Sequence, residues 1–101
     1  MQIAEFQELI ESIYLDKDSR RGVAGTFQWL VEEVGELARA IRKGSREELS
    51  GEFADVLAWT ASLASLLQLD LEEALAKYRN GCPKCGSIPC ACREGNAAPA
   101  Q

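Results

Sequence analysis

Between Thr26 and Lys43 the apolar residues recur at helical intervals, and this constrains the fold more than any other feature. Phe27, Leu30, Val31, Val34, Leu37, Ala38 and Ile41 follow i, i+3, i+4, i+7 steps, the period of a helix that buries one face. Leu49, Phe53, Val56, Leu57, Thr60, Leu63, Ala64 and Leu67 repeat the pattern, and Ile3, Phe6, Ile10, Ile13 and Tyr14 do so over residues 3–15. No strand-like alternation survives anywhere, so the chain reads as all-α. Residues 16–25 are polar and carry Gly22 and Gly25, which predicts a loop, with Thr26 capping a second helix over 26–43. Gly44 ends that helix. Ser45 and Glu48 form a capping box for a third, running to about Leu67. Asp70 with Glu73 opens a short fourth helix ending near Tyr78. The expected architecture is an antiparallel bundle of about four helices, its second-helix stripe centred near Leu30, Val34 and Ile41.

With 101 residues, the chain makes one domain plus a short appendage. The boundaries predicted are a helical domain over 1–80, a four-cysteine knuckle over 81–93 and a flexible tail over 94–101. A chain of this size buries only roughly two-thirds of its unfolded surface, so a homodimer or homotetramer is expected. The lack of an apolar run near 20 residues argues against a membrane span. The acidic start "MQIAEFQELI" does not resemble a secretory leader, and the expected compartment is the cytoplasm. A net charge of −5 offers no general attraction to nucleic acid, whose binding leans on Lys and Arg. Histidine is absent, so catalysis must run on carboxylates, thiols, lysine or a bound metal.

Glu32, Glu33 and Glu36 crowd into little more than one turn, where like charges at i, i+4 repel by a few tenths of a kcal/mol. On a helical wheel Glu32 and Glu36 fall opposite the apolar stripe, with Glu33 on its flank; Glu52 flanks the third helix's stripe, with Asp55 further round. Glu33/Glu36 and Glu52/Asp55 are each i, i+3 pairs, so antiparallel packing can bring four carboxylates to one point. The plain alternative is two solvated faces. Each acidic face also carries a tryptophan, Trp29 or Trp59, which suits a binding site or a subunit interface. Carboxylates without histidine are a hard oxygen set that favours Mg²⁺ or Mn²⁺, and the chemistry such a set supports is metal-assisted hydrolysis of a phosphate ester or anhydride.

The segments "EEVGE" (32–36) and "EFAD" (52–55), set within "FQWLVEEVGELARAIRKG" and "EELSGEFADVLAWTASLASLLQLDLEEALAKY", resemble the E-E-x-x-E … E-x-x-D signature of the MazG-like, all-α nucleoside triphosphate pyrophosphohydrolases over about residues 3–80. The related all-α dUTPases and dCTPase-like enzymes share a similar motif, so it fixes the chemistry better than the base. The resemblance implies Mg²⁺-dependent hydrolysis of a (d)NTP to (d)NMP and pyrophosphate, by attack of a metal-activated water on the α-phosphate. It implies Glu33, Glu36, Glu52 and Asp55 as metal ligands, and Glu32 as the residue that orients or deprotonates the water or holds a further metal. It also implies Lys77 and Asn80 in "KYRN" as phosphate or sugar contacts, although Lys77 and Arg79 equally suit a helix C-terminus. Trp29 or Trp59 would stack on the base. Arg20 and Arg21 in the predicted first loop are within reach of phosphate, although solubilising surface charge is the first reading.

Cys82, Cys85, Cys90 and Cys92 form C-x2-C-x4-C-x-C, and the C-P-x-C-G start is the usual knuckle of a tetrahedral zinc site. Structural Zn²⁺ held by four thiolates is the first reading; two disulfides and a redox- or metal-sensing unit are the others. If the acids are merely solvated, the chain is instead a non-catalytic helical interaction module with a zinc knuckle.

Overall fold

The computed structural model describes residues 1–93; the tail predicted over 94–101 lies outside the described residues. Among these, three α-helices form, α1 (Ile3–Lys43), α2 (Arg46–Leu66) and α3 (Leu71–Leu75), and a 3₁₀ turn, Ala76–Tyr78, continues α3. There is no strand among the described residues, so the all-α expectation holds, with three helices where about four were expected. No helix is long and apolar enough to cross a membrane. The chain divides into two compact units, Met1–Leu71 and a second beginning at Glu72.

The largest departure from the sequence reading lies at residues 16–25. The predicted loop is helical, and the first two predicted helices are one, broken only at Gly22 (φ 86°, ψ 172°). Its polarity does not prevent a helix, because the charges find partners one turn away. Asp18 accepts a hydrogen bond from Arg21 Nη1 at 2.8 Å, and Arg20 Nε donates to the Asp16 carbonyl at 3.3 Å. Gly22 supplies a backbone conformation that an L-residue adopts only with strain. Thr26 is therefore not a cap. It sits fully buried inside α1, its hydroxyl 3.3 Å from Arg21 Nη1.

Both arms of α1 run antiparallel to α2. Gln7 Nε2 donates to Ser65 Oγ (3.1 Å) and to the Leu69 carbonyl (2.8 Å), while its Oε1 accepts from the Leu71 amide (2.9 Å). Ser65 Oγ in turn donates to Glu11 at 2.7 Å. Further along, Trp29 meets Trp59, and Gly44 with Ser45 turns the chain into α2. Ser45 caps α2 as expected: its side chain accepts from the Glu48 amide, and Glu48 accepts from the Ser45 amide.

The seam between the helices follows Thr26, Leu30, Glu33, Leu37 and Ala40 on α1, and Leu49, Glu52, Val56, Trp59 and Leu63 on α2, all buried or half-buried. This corrects the predicted core faces. Phe27, Val31, Val34, Ile41, Phe53, Leu57 and Leu67 are 49 to 64% exposed. The apolar stripe is wider than one neighbouring helix can cover, so α2 takes one edge and the rest faces outward. Glu33, placed by the wheel on the flank, lies in the seam instead.

Candidate active site

Glu33 and Glu52 stand where a helical seam ordinarily carries Leu or Ile. Each shares its line with apolar neighbours, Leu30 and Leu37 for Glu33, Leu49 and Val56 for Glu52. Antiparallel packing brings the two lines together, and Asp55, one turn from Glu52, joins them. One oxygen from each of Glu33, Glu52 and Asp55 lies within 4.8 Å of the others. Glu33 Oε2 and Glu52 Oε1 are buried and receive no hydrogen bond.

A buried carboxylate oxygen without a donor costs free energy, and three acids gathered together add repulsion. The Glu33 carboxyl is accordingly held above its ordinary pKa, first by burial, then by the charge of Asp55 and the adjoining carboxyls of Glu52 and Glu36. One divalent cation would relieve both defects at once. The donor set, all oxygen and at this spacing, fits Mg²⁺ or Mn²⁺.

Glu36 is exposed and outside this trio; it lines an adjoining cleft with Arg39, Lys43, Glu48 and Glu52. Glu32 is exposed, one turn before Glu36 on the same side of α1. On the other flank of the acids, a cleft of about 240 Å³ is walled by Tyr14, Lys17, Asp18, Arg21, Asp55, Ala58, Trp59 and Ser62. Asp55 thus belongs to both cluster and cleft. Trp29 and Trp59 stack on each other, ring centres 6.0 Å apart and planes 14° from parallel. The Arg21 guanidinium lies 4.8 Å over the Trp59 ring, so Trp59 is already engaged by two neighbours.

Arg21 is the residue the sequence reading misplaced. It is half-buried, paired to the buried Asp18 and aimed along the cleft wall. The i, i+3 spacing of Asp18 and Arg21 was the available signal, obscured because residues 16–25 read as a loop. Lys17, one residue before Asp18, lines the same cleft and was also missed.

In the second unit, Lys77 and Asn80 are exposed, and Lys77 Nζ lies 5.2 Å over the Tyr78 ring. All four cysteines are free thiols whose sulfurs lie within 4.8 Å of one another. Backbone amides of Cys85 and Lys84 face Cys82 and lower its pKa; those of Ala91 and Ser87 bring Cys85 down to about 6. Neighbouring sulfurs, Cys90 first, push Cys92 up to about 12. Four thiols this close cannot all ionise without a cation among them.

A family model for the MazG nucleotide pyrophosphohydrolase domain matches residues 21–86. The chain belongs to the MazG family. The match takes in every acid of the cluster, both tryptophans, Lys77, Asn80 and the first two cysteines; Cys90 and Cys92 lie beyond it. Among curated proteins no significant match is found.

Proposed function

We propose that the chain hydrolyses a (d)NTP to (d)NMP and pyrophosphate, with Mg²⁺ or Mn²⁺ held by Glu33, Glu52 and Asp55 and, from the adjoining turn, by Glu36. The observation that carries this reading is the pair of donorless carboxylate oxygens, Glu33 Oε2 and Glu52 Oε1, buried in an otherwise apolar seam. Protein stability alone would favour leucine there; a cation-binding task favours glutamate. When bound, the cation supplies charge neutralisation for the triphosphate and a more acidic water.

The residues of the chain divide the remaining work. Water oxygen bonds to the α-phosphorus, the bond from that phosphorus to the bridging oxygen breaks, and pyrophosphate leaves with the bridging oxygen. The water's proton passes to a carboxylate, a role assigned to the exposed Glu32. The cleft beside Asp55 receives the nucleoside: it offers the Trp59 edge, Tyr14 and the fixed Arg21, and the half-exposed Trp29 supplies further aromatic surface for the base. The thiolate cluster takes Zn²⁺ in preference to Mg²⁺ because sulfur is the soft donor, and free thiols suit the reducing cytoplasm.

The outward apolar face, Phe27, Val31, Val34, Ile41, Phe53, Leu57 and Leu67, is assigned to a second copy of this chain. An exposed apolar face on two packed helices suits a subunit interface, and pairing two such hairpins would give the expected bundle.

The test is pyrophosphate release from a panel of nucleoside triphosphates, with and without Mg²⁺. Turnover that requires the metal and disappears in Glu33→Gln supports the assignment. Metal-independent turnover, or none with any nucleotide, refutes it and favours the interaction module.

A further inference from the structure

Among the described residues after Glu72, none is buried. α3 has five residues and the 3₁₀ turn three, and neither contains a buried residue. Isolated helices shorter than about 12 residues are marginal in water. Leu75, Tyr78 and Ile88 are 47%, 40% and 80% exposed. The backbone is nonetheless tightly threaded. Arg79 N donates to Ala76 O (3.0 Å), Gly81 N to Tyr78 O (3.2 Å), Gly86 N to Cys82 O (2.7 Å) and Cys82 N to Ser87 O (3.1 Å). Gly81, at φ +110°, approaches the returning chain so closely that a Cβ would stand 2.8 Å from Ile88 Cγ1 and 3.0 Å from Ser87 O. A fold with so little core depends on a cross-link.

The sulfurs supply its position. A zinc–sulfur bond of about 2.3 Å in a tetrahedron sets sulfurs about 3.8 Å apart; Cys82 and Cys92 stand 3.8 Å apart, and Cys85 and Cys90 4.0 Å apart. The amides of Ala91 and Cys92 donate to Cys85 Sγ (3.2 Å) and Cys90 Sγ (3.3 Å), the outer contacts that orient thiolate ligands. Lys77, Arg79, Lys84 and Arg93 lie in the same unit and offset the residual charge of four thiolates on one dication.

We infer that Cys82, Cys85, Cys90 and Cys92 form a closed zinc site that folds the segment from about residue 76 to 92. As each Zn–S bond forms, the thiol proton leaves to solvent, with no change of oxidation state. With all four positions taken by sulfur, the site has no opening for substrate, and its role is to hold the segment's backbone together.

The experiment uses the full chain, loaded with Zn²⁺ or stripped by a zinc-selective chelator, and the Cys90→Ser variant. The expected results are one zinc per chain and four thiols that resist a thiol reagent until the chelator is added. Amide hydrogen exchange should accelerate over 76–92 on stripping and in Cys90→Ser, with α1 and α2 unchanged. Two disulfides by mass, or equal amide protection with and without zinc, overturns the site. None of these readouts uses nucleotide turnover, so they decide the zinc site whether or not the chain hydrolyses a nucleotide.

Discussion

Replacing Glu33 by Gln should make the metal-free protein more stable and the enzyme inactive, two effects of opposite sign from one side chain. The carboxyl oxygens of Glu33, Glu52 and Asp55 lie within 4.8 Å of one another. At that distance two like charges repel by about 1 kcal/mol in water and about 3 kcal/mol at an effective dielectric near 20. Asp55 is exposed and Glu52 half-buried, so solvent screening favours the lower figure. A net gain of about 1 kcal/mol corresponds to about 4–8 °C in Tm for a chain of this size.

The pH dependence follows from the same geometry. Folding lifts the Glu33 pKa above its ordinary 4.5, so the contribution of Glu33 to the stability of the metal-free protein is fully present below that value. This contribution is lost as pH rises through the elevated pKa, and Glu33→Gln removes the loss. Saturating Mg²⁺ should raise the wild-type Tm and leave the variant's unmoved. Activity should fall by about three orders of magnitude, the consequence of losing about 4 kcal/mol of transition-state stabilisation. Differential scanning fluorimetry at fixed protein concentration, across pH and Mg²⁺, reads the stability half; pyrophosphate release reads the other. A variant that melts lower than wild type without metal, yet responds equally to Mg²⁺, would falsify the gathered-carboxylate geometry.

Three further outcomes are expected. Gly22→Ala and Gly51→Ala both place a methyl in open space, but only Gly22 has positive φ, so urea unfolding should show a loss of about 1–3 kcal/mol for the first and a gain approaching 1 kcal/mol for the second, which lies inside α2; equal effects would contradict the kink. If the outward apolar face pairs with a second copy as proposed, Leu57→Asp should lower the mass read by light scattering to that of one chain, because Leu57 is 57% exposed in the single chain and lies on that face; an unchanged mass would remove that face from the interface. Asp18→Asn should cost about 3 kcal/mol by leaving the Arg21 charge without its partner, and should raise KM more than it lowers kcat if Arg21 serves the nucleoside cleft.

The sequence laid out the helix content because periodicity is a local property. The heptad-like run from Phe27 to Ile41 and the capping box at Ser45 and Glu48 each declare a helix within a few residues. The break at Gly22 was harder to place. A polar stretch with two glycines satisfies the rules for a loop, and only the Asp18–Arg21 pair and the burial of Thr26 decide that the helix continues. The burial of individual side chains was misjudged for a related reason. An apolar stripe tells how much surface must be covered, but its angular centre does not tell which neighbour covers which edge.

The acids divide along the same line. That Glu33 and Glu36, and Glu52 and Asp55, each project from one side of a helix was legible from their i, i+3 spacing; that Glu32 joins them in one motif came from the family resemblance. That Glu33 and Glu52 share a seam, with Asp55 beside them and Glu36 facing the adjoining cleft, depends on how α1 rotates about its axis against α2. A rotation of a few tens of degrees exchanges flank for seam, and small energetic differences between apolar contacts set that angle. The helical class and the ligand chemistry of the carboxylates and thiols were therefore determined by the sequence itself. The convergence of three carboxyls, the cleft that Arg21 lines and the outward apolar face were decided by tertiary packing, because they depend on the relative rotation of two helices that no local interval encodes.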